Sequence, residues 1–192
     1  MAKKVAEQLV DTLIEAGVRR IYAVTGDSLN EVNEAVRQNE AMKWIHVRHE
    51  ETGAYAAGAE AQLTGLPGCC AGSSGPGHVH LINGLYDAHR SGAPVIAIAS
   101  TIPTGEFGTE YFQETNTVKL FNDCSFYNEV ATTPEQFPRM LQSALQTATP
   151  RKGVAVVGLP GDLAKKPAVK VESSEQTYPL ASSVCPAEED LI

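Results

Sequence analysis

At 192 residues the chain is long enough for one domain with a substantial buried core. A formal charge of -8 and the absence of any dense Lys/Arg cluster argue against a nucleic-acid surface, and no run approaches the ~18 consecutive apolar residues of a membrane helix. The N-terminal segment lacks the apolar stretch of a signal peptide, and Cys69, Cys70, Cys124 and Cys185 have no metal-ligand spacing, so a cytoplasmic protein with reduced thiols is expected.

In chain order, Val5, Leu9, Val10, Leu13 and Ile14 recur at helical spacing and Gly17 supplies a stop. Ile21 to Val24 reads as a short strand. Thr25-Gly26-Asp27 turns the chain, and Ser28 with Glu31 has the spacing of a capping box ahead of the stripe Leu29, Val32 and Val36. Trp44 to Val47 is the second strand, and Glu50 to Leu63 is a helix built largely of Gly and Ala. Pro67-Gly68 leads into a strand at Cys69 to Gly72, Gly75-Pro76-Gly77 breaks it, and His78 to His89 is helical. Pro94 to Ala99 is a near-continuous apolar run, as expected when both faces of a parallel sheet are covered. A polar loop follows, then a strand near Phe126 to Val130. Thr133-Pro134-Glu135-Gln136 combines an N-cap, proline at N1 and a capping glutamine for a helix reaching about Ala148. Val154 to Leu159 is the last strand.

Strand-helix alternation predicts an α/β fold with an open, mostly parallel sheet of about six strands and helices on both faces. Right-handed crossovers would gather the loops after Val24, Val47, Gly72 and Ala99 along one edge. Residues 1 to 166 form the domain. Residues 167 to 185 read as a linker rich in Lys, Pro, Ser and Glu, and residues 186 to 192 as the opening of a truncated central domain. The chain therefore reads as a fragment of a longer protein.

Arg48-His49-Glu50-Glu51 carries the most information. Ligand sites of open α/β sheets lie at strand C-termini, and the small residues after Glu50 would admit another backbone or a cofactor. In a water-poor cleft, desolvation would raise the Glu50 pKa and the helix N-terminus would lower it. Such a carboxyl can share a proton with a ring nitrogen of a heterocyclic ligand. Glu50 and Glu51 as two solvated first-turn acids fit the same residues. The two lie ~100° apart on a helix, so at most one faces a cleft. By pattern alone Gly75-Pro76-Gly77 reads as a plain turn, and it fails both phosphate-binding fingerprints. For Gly26-Asp27-Ser28 the capping box is the simpler account than a Mg²⁺ site. The aromatic-amide pair Phe112-Gln113 could line a pocket for a small polar molecule or anchor an ordinary loop. The five histidines show no zinc spacing, so no metal ligand is assigned.

Thr25-Gly26-Asp27-Ser28-Leu29-Asn30, Arg48-His49-Glu50-Glu51, Ala57-Gly58-Ala59-Glu60, Gly72-Ser73-Ser74-Gly75-Pro76-Gly77, His80-Leu81-Ile82-Asn83-Gly84-Leu85 and Tyr111-Phe112-Gln113-Glu114 occur in order. Together they resemble the N-terminal pyrimidine-binding domain of thiamine diphosphate enzymes, most of all the pyruvate oxidases, over residues 3 to about 166. The resemblance implies that Glu50 hydrogen-bonds N1′ of the aminopyrimidine and stabilises its imino tautomer, whose imine removes the thiazolium C2 proton. It places Gly75, Pro76 and Gly77 against the pyrimidine, lines the substrate pocket with Ser28, Phe112 and Gln113, and makes the Gly/Ala helix a contact in a homodimer or homotetramer.

The implied activity of the full-length protein is oxidative decarboxylation of a 2-oxo acid, pyruvate, with electrons passing through FAD to a quinone. Mg²⁺ and FAD would bind in domains absent from this chain, because neither Gly26-Asp27-Ser28 nor Gly161-Asp162-Leu163 is followed by the asparagines of the family's metal motif. The chain alone is expected not to turn over, and any peripheral membrane contact is expected only through the missing C-terminal part. Acetolactate synthase, a 2-oxo acid decarboxylase and a non-catalytic module of the same fold are the alternatives.

Overall fold

The six strands expected from the sequence assemble into one parallel sheet. The computed structural model describes residues 2–169, with β1 (Arg20–Ala23), β2 (Lys43–His46), β3 (Gly68–Gly72), β4 (Val95–Thr101), β5 (Tyr127–Val130) and β6 (Val154–Pro160). Their order is β2-β1-β3-β4-β6-β5, and every pairing is parallel. All residues of β3, β4 and β6 are buried, which accounts for their continuous apolar sequences. The α/β class with helices on both faces is therefore observed.

Side chains of successive strand residues go to opposite faces. Cys69, Ala71, Ile96, Ile98, Ala155 and Val157 join a layer with α1 (Val5–Glu15), α2 (Asn30–Arg37) and α7 (Phe137–Arg151). Cys70, Val95, Ala97, Ala99, Val154 and Val156 join the other, under α3 (Glu50–Thr64) and α5 (Ile82–Arg90). Three short helices complete the set: α4 (Pro76–Val79), α6 (Thr117–Leu120) and α8 (Gly161–Lys165). Burial pushes the Cys70 thiol up to about 12 and that of Cys124 up to about 11, so both are protonated, inert core residues at neutral pH. Cys185 lies outside the described residues. No helix among the described residues is long and apolar enough to cross a membrane.

The Gly/Ala face of α3 is taken up inside the chain. A Cβ on Gly84 of α5 would stand 2.6 Å from the Ala54 Cβ, one on Gly58 would stand 3.2 Å from the Ala88 Cβ, and one on Gly68 of β3 would stand 2.1 Å from the Ala57 carbonyl oxygen. Within the chain, the elements that approach this helix closely include β1, where a Cβ on Gly53 would stand 3.0 Å from the Tyr22 carbonyl oxygen, as well as β3 and α5. Tyr55 of α3 is exposed.

Four local expectations change. Ser28 and Glu31 form no capping box: Asp27–Leu29 make a 3₁₀ turn, α2 begins at Asn30, and Glu31 receives Lys4 Nζ at 2.8 Å. One half of such a box forms earlier, where the Lys4 N–H donates to Glu7 Oε2 at 2.6 Å. Gln136 does cap backwards, but onto Thr132, whose N–H and hydroxyl donate to its Oε1 at 3.1 and 3.0 Å. As a result α7 starts at Phe137, not after Thr133, and it continues through Pro150 to Arg151. The helical run from His78 to His89 is two helices, α4 and α5. Residues 167 to 169, read as linker, return to the N-terminus: Pro167 bridges Lys4, and the Ala168 N–H donates to the Lys3 carbonyl at 2.7 Å. The rest of that linker and residues 186 to 192 lie outside the described residues.

The chain leaves β1 toward β2 on one side and leaves β3 toward β4 on the other. The crevice between the C-terminal ends of β1 and β3 is therefore the topological switch point, where open α/β sheets bind ligands.

Candidate active site

Three strand-end loops converge at that crevice. The loop after β1 brings Gly26, Asp27 and Ser28, the loop after β2 brings His49 and Glu50, and the loop after β3 brings Ser73 to Gly77. Glu50 is the first residue of α3, after an extended His49 (φ −152°), and its residue exposure is only 8%. Glu51, one position on, is half-buried and faces His49, with its Oε2 3.8 Å from Nδ1. The helical rotation thus turns one carboxylate inward and leaves the other near the surface.

The two oxygens of Glu50 have different surroundings. Oε2 lies 3.0 Å from Nδ1 of His80, directly after α4. With the carboxylate ionised, Nδ1 must carry the proton and donate. The His80 ring stacks on His49 with centroids 4.5 Å apart. Oε1 faces Gly77: a Cβ there would stand 3.4 Å from Oε1 and 2.4 Å from Ser73 Oγ. Gly75 has φ +69°, which favours glycine, and its Cβ would stand 3.1 Å from the Gln113 Cα. Gly75-Pro76-Gly77 is therefore more than a plain turn: it presses against the loop of Gln113 at one end and Glu50 at the other.

His80 is the participant that sequence reasoning left without a role. Thirty residues separate it from Glu50, and the fold alone joins them. His49, Glu50 and His80 offer ligand atoms within 4.8 Å of one another, a grouping invisible in the histidine spacing.

Ser28, Phe112 and Gln113 line one cavity of ≈260 Å³, together with Ser74, Asp162 and Lys165. Ser28 Oγ accepts the Ser74 N–H at 2.9 Å, and Ser74 Oγ donates to Gln113 Oε1 at 3.1 Å. Phe112 is 82% exposed and rests on Tyr111. Glu50 does not line this cavity; the segment Ser73–Ser74 joins the two regions. Both oxygens of Asp162 are engaged by Thr104, accepting its N–H at 2.9 Å and its hydroxyl at 2.7 Å. Burial pushes the Asp162 carboxyl up, but those bonds and Lys166 prevail and hold it below the usual aspartate value. Gly161-Asp162-Leu163 thus serves a local structural purpose.

His78 is fully buried behind the site. Its Nδ1 lies 2.8 Å from the Ser100 carbonyl and its Nε2 2.6 Å from Thr115 Oγ1. It fastens the Phe112 loop to α4. Burial pushes its pKa down, against the opposing bond to Ser100.

A nearly buried carboxylate with one oxygen turned to a side-chain-free backbone fits a flat heteroaromatic ring that carries a basic nitrogen. Comparison with known proteins agrees with that geometry. Residues 3–120 match the family described as thiamine pyrophosphate enzyme, N-terminal TPP binding domain. An uncharacterized 42.6 kDa protein from the isoamylase 3′ region of Pseudomonas amyloderamosa is 56% identical over 161 residues, which are 84% of this chain and 41% of that protein. Pyruvate oxidase of Lactiplantibacillus plantarum is 40% identical over 148 residues, 77% of this chain and 24% of the oxidase. Chloroplastic acetolactate synthase of Arabidopsis thaliana is 33% identical over 168 residues, 87% of this chain and 25% of the synthase. The chain spans less than half the length of each of these relatives.

Proposed function

We infer the function from family membership: this chain belongs to the thiamine pyrophosphate (thiamine diphosphate) enzymes, as their N-terminal TPP-binding domain. Within that frame it holds the aminopyrimidine half of the cofactor, and the full-length protein is a pyruvate oxidase. The observation that carries the reading is Glu50, nearly buried at the switch point with Oε1 beside Gly77.

Bound thiamine diphosphate supplies the carbon nucleophile and electron sink that decarboxylation of a 2-oxo acid requires. With the cofactor bound, Glu50 would share a proton with the aminopyrimidine ring nitrogen, and Gly75, Pro76 and Gly77 would form the surface on which the ring lies. Ser28, Phe112 and Gln113 enclose the small acid in the neighbouring cavity and limit water. Mg²⁺ and FAD belong to parts of the protein beyond this chain, which alone does not turn over. By the family resemblance, in which sites form between two chains, we propose a homodimer or homotetramer in the cytoplasm.

The identity to the pyruvate oxidase, higher than to the acetolactate synthase, supports oxidation of pyruvate; a quinone is the acceptor we propose on the family resemblance alone. The longer aligned stretch with the synthase keeps acetolactate formation as the second reading. The test is anaerobic addition of pyruvate to the full-length protein reconstituted with thiamine diphosphate, Mg²⁺ and FAD. Bleaching of the flavin is expected. An unchanged flavin with release of carbon dioxide would select the synthase or a simple decarboxylase instead.

A further inference from the structure

We propose that His80 is a positioning residue for Glu50, which it holds by Oε2 so that Oε1 alone is presented to the ligand ring. The inference rests on the reading that the chain binds an aminopyrimidine, and it deepens that reading.

A glutamate side chain has three torsions, and the last, which turns the carboxylate, is broad and nearly two-fold. At the first residue of α3, Glu50 lies in the stretch where helical backbone donors are unmatched. A carboxylate free to rotate there would divide its oxygens between the backbone, water and the ligand. The Nδ1–H of His80, 3.0 Å from Oε2, removes that choice.

The geometry that achieves this resides in one short element. Gly77 and His80 are three residues apart along α4 and its end, so they fall on the same side of the turn. The His80 N–H donates to the Pro76 carbonyl at 3.1 Å, which continues the helical turn through His80. The same turn thus offers its bare glycine to Oε1 and its imidazole to Oε2. His49, the residue before Glu50, stacks on the outer face of the His80 ring at 4.5 Å with planes 26° apart. Its Nδ1 lies 3.8 Å from Glu51 Oε2. The imidazole is therefore braced from the segment that carries the carboxylate it holds, and Glu50 and His80 form a closed unit across two loops.

The test uses the full-length protein with Mg²⁺ and measures the dissociation constant of thiamine diphosphate by intrinsic fluorescence. Thermal melting verifies that each variant is folded. His80→Ala should weaken binding about 10-fold, as expected for the loss of one bond to an ionised group. His80→Asn, whose side-chain amide places a donor where Nδ1–H stands, should stay within about 2-fold of the parent and remains informative if His80→Ala fails to fold. In a Glu50→Ala background, His80→Ala should cost nothing further, because a positioning residue acts only through its partner. The near-ultraviolet circular dichroism of the bound pyrimidine should change with His80→Ala and be restored in His80→Asn. Equal losses in the Ala and Asn variants, or an undiminished loss in the Glu50→Ala background, would overturn the proposal and make His80 an ordinary packing residue. A parent protein that binds no thiamine diphosphate would instead remove the function reading, and this proposal with it.

Discussion

Gly77 and Glu50 face each other across the switch point so closely that a methyl group on Gly77 would lie 3.4 Å from Glu50 Oε1. The same methyl would stand 2.4 Å from Ser73 Oγ. Gly77→Ala should therefore fill the space reserved for the ring and displace Ser73. We expect a loss of thiamine diphosphate affinity of about 10-fold or more, with overpacking costing about 1–3 kcal/mol of stability. Calorimetric titration of the full-length variant, set beside its melting temperature, separates the two effects.

Glu50→Gln keeps the size of the side chain and an oxygen to accept from His80, but it removes the acid-base function. Folding should be unchanged, and pyruvate turnover by the full-length protein should fall by about 10²–10⁴-fold, the usual contribution of a proton-transfer group. Near-normal turnover in steady-state assays would remove Glu50 from the mechanism.

Gly84→Ala tests the close approach of α5 to α3 away from the chemistry. The added Cβ would meet the Ala54 Cβ at 2.6 Å and the Tyr55 backbone nitrogen at 2.7 Å. Since the obstacle is helix backbone, the helices must separate. Stability should fall by about 1–3 kcal/mol, read from denaturant unfolding, whereas Ala at Gly105, which has open space around it, should have little effect.

His78 should make stability depend on pH. Its folded pKa lies below the unfolded value of about 6.5. The unfolded state then binds more protons below that pH, so stability present above about pH 6.5 is lost as pH falls toward the folded pKa. His78→Gln should lower the melting temperature at pH 8 but flatten its decline between pH 7 and 5. A parallel decline in both proteins would show that other groups control the acid limb.

Much of this architecture could be read from local pattern. The apolar runs at Cys69 to Gly72, Pro94 to Ala99 and Val154 to Leu159 read as strands because they are short, flanked by Gly or Pro, and fit a sheet covered on both faces. Glu50 was legible as a carboxylate at the junction of strand and helix. Capping was less so: Ser28 has the right spacing for a box, yet a hydroxyl takes whichever backbone donor comes nearest, and the fold delivers that of Ser74.

Alternation of apolar runs and helical stripes determines the α/β class, since each period is a property of neighbouring residues. Which strand lies beside which, and so where the crevice opens, was decided only by tertiary packing. The same holds for the elements of this chain that pack on the Gly/Ala helix, β1, β3 and α5, and for the meeting of Glu50 with Gly77 and His80. Those contacts join residues far apart in the chain. Their distances depend on how whole elements stack, which no local spacing records.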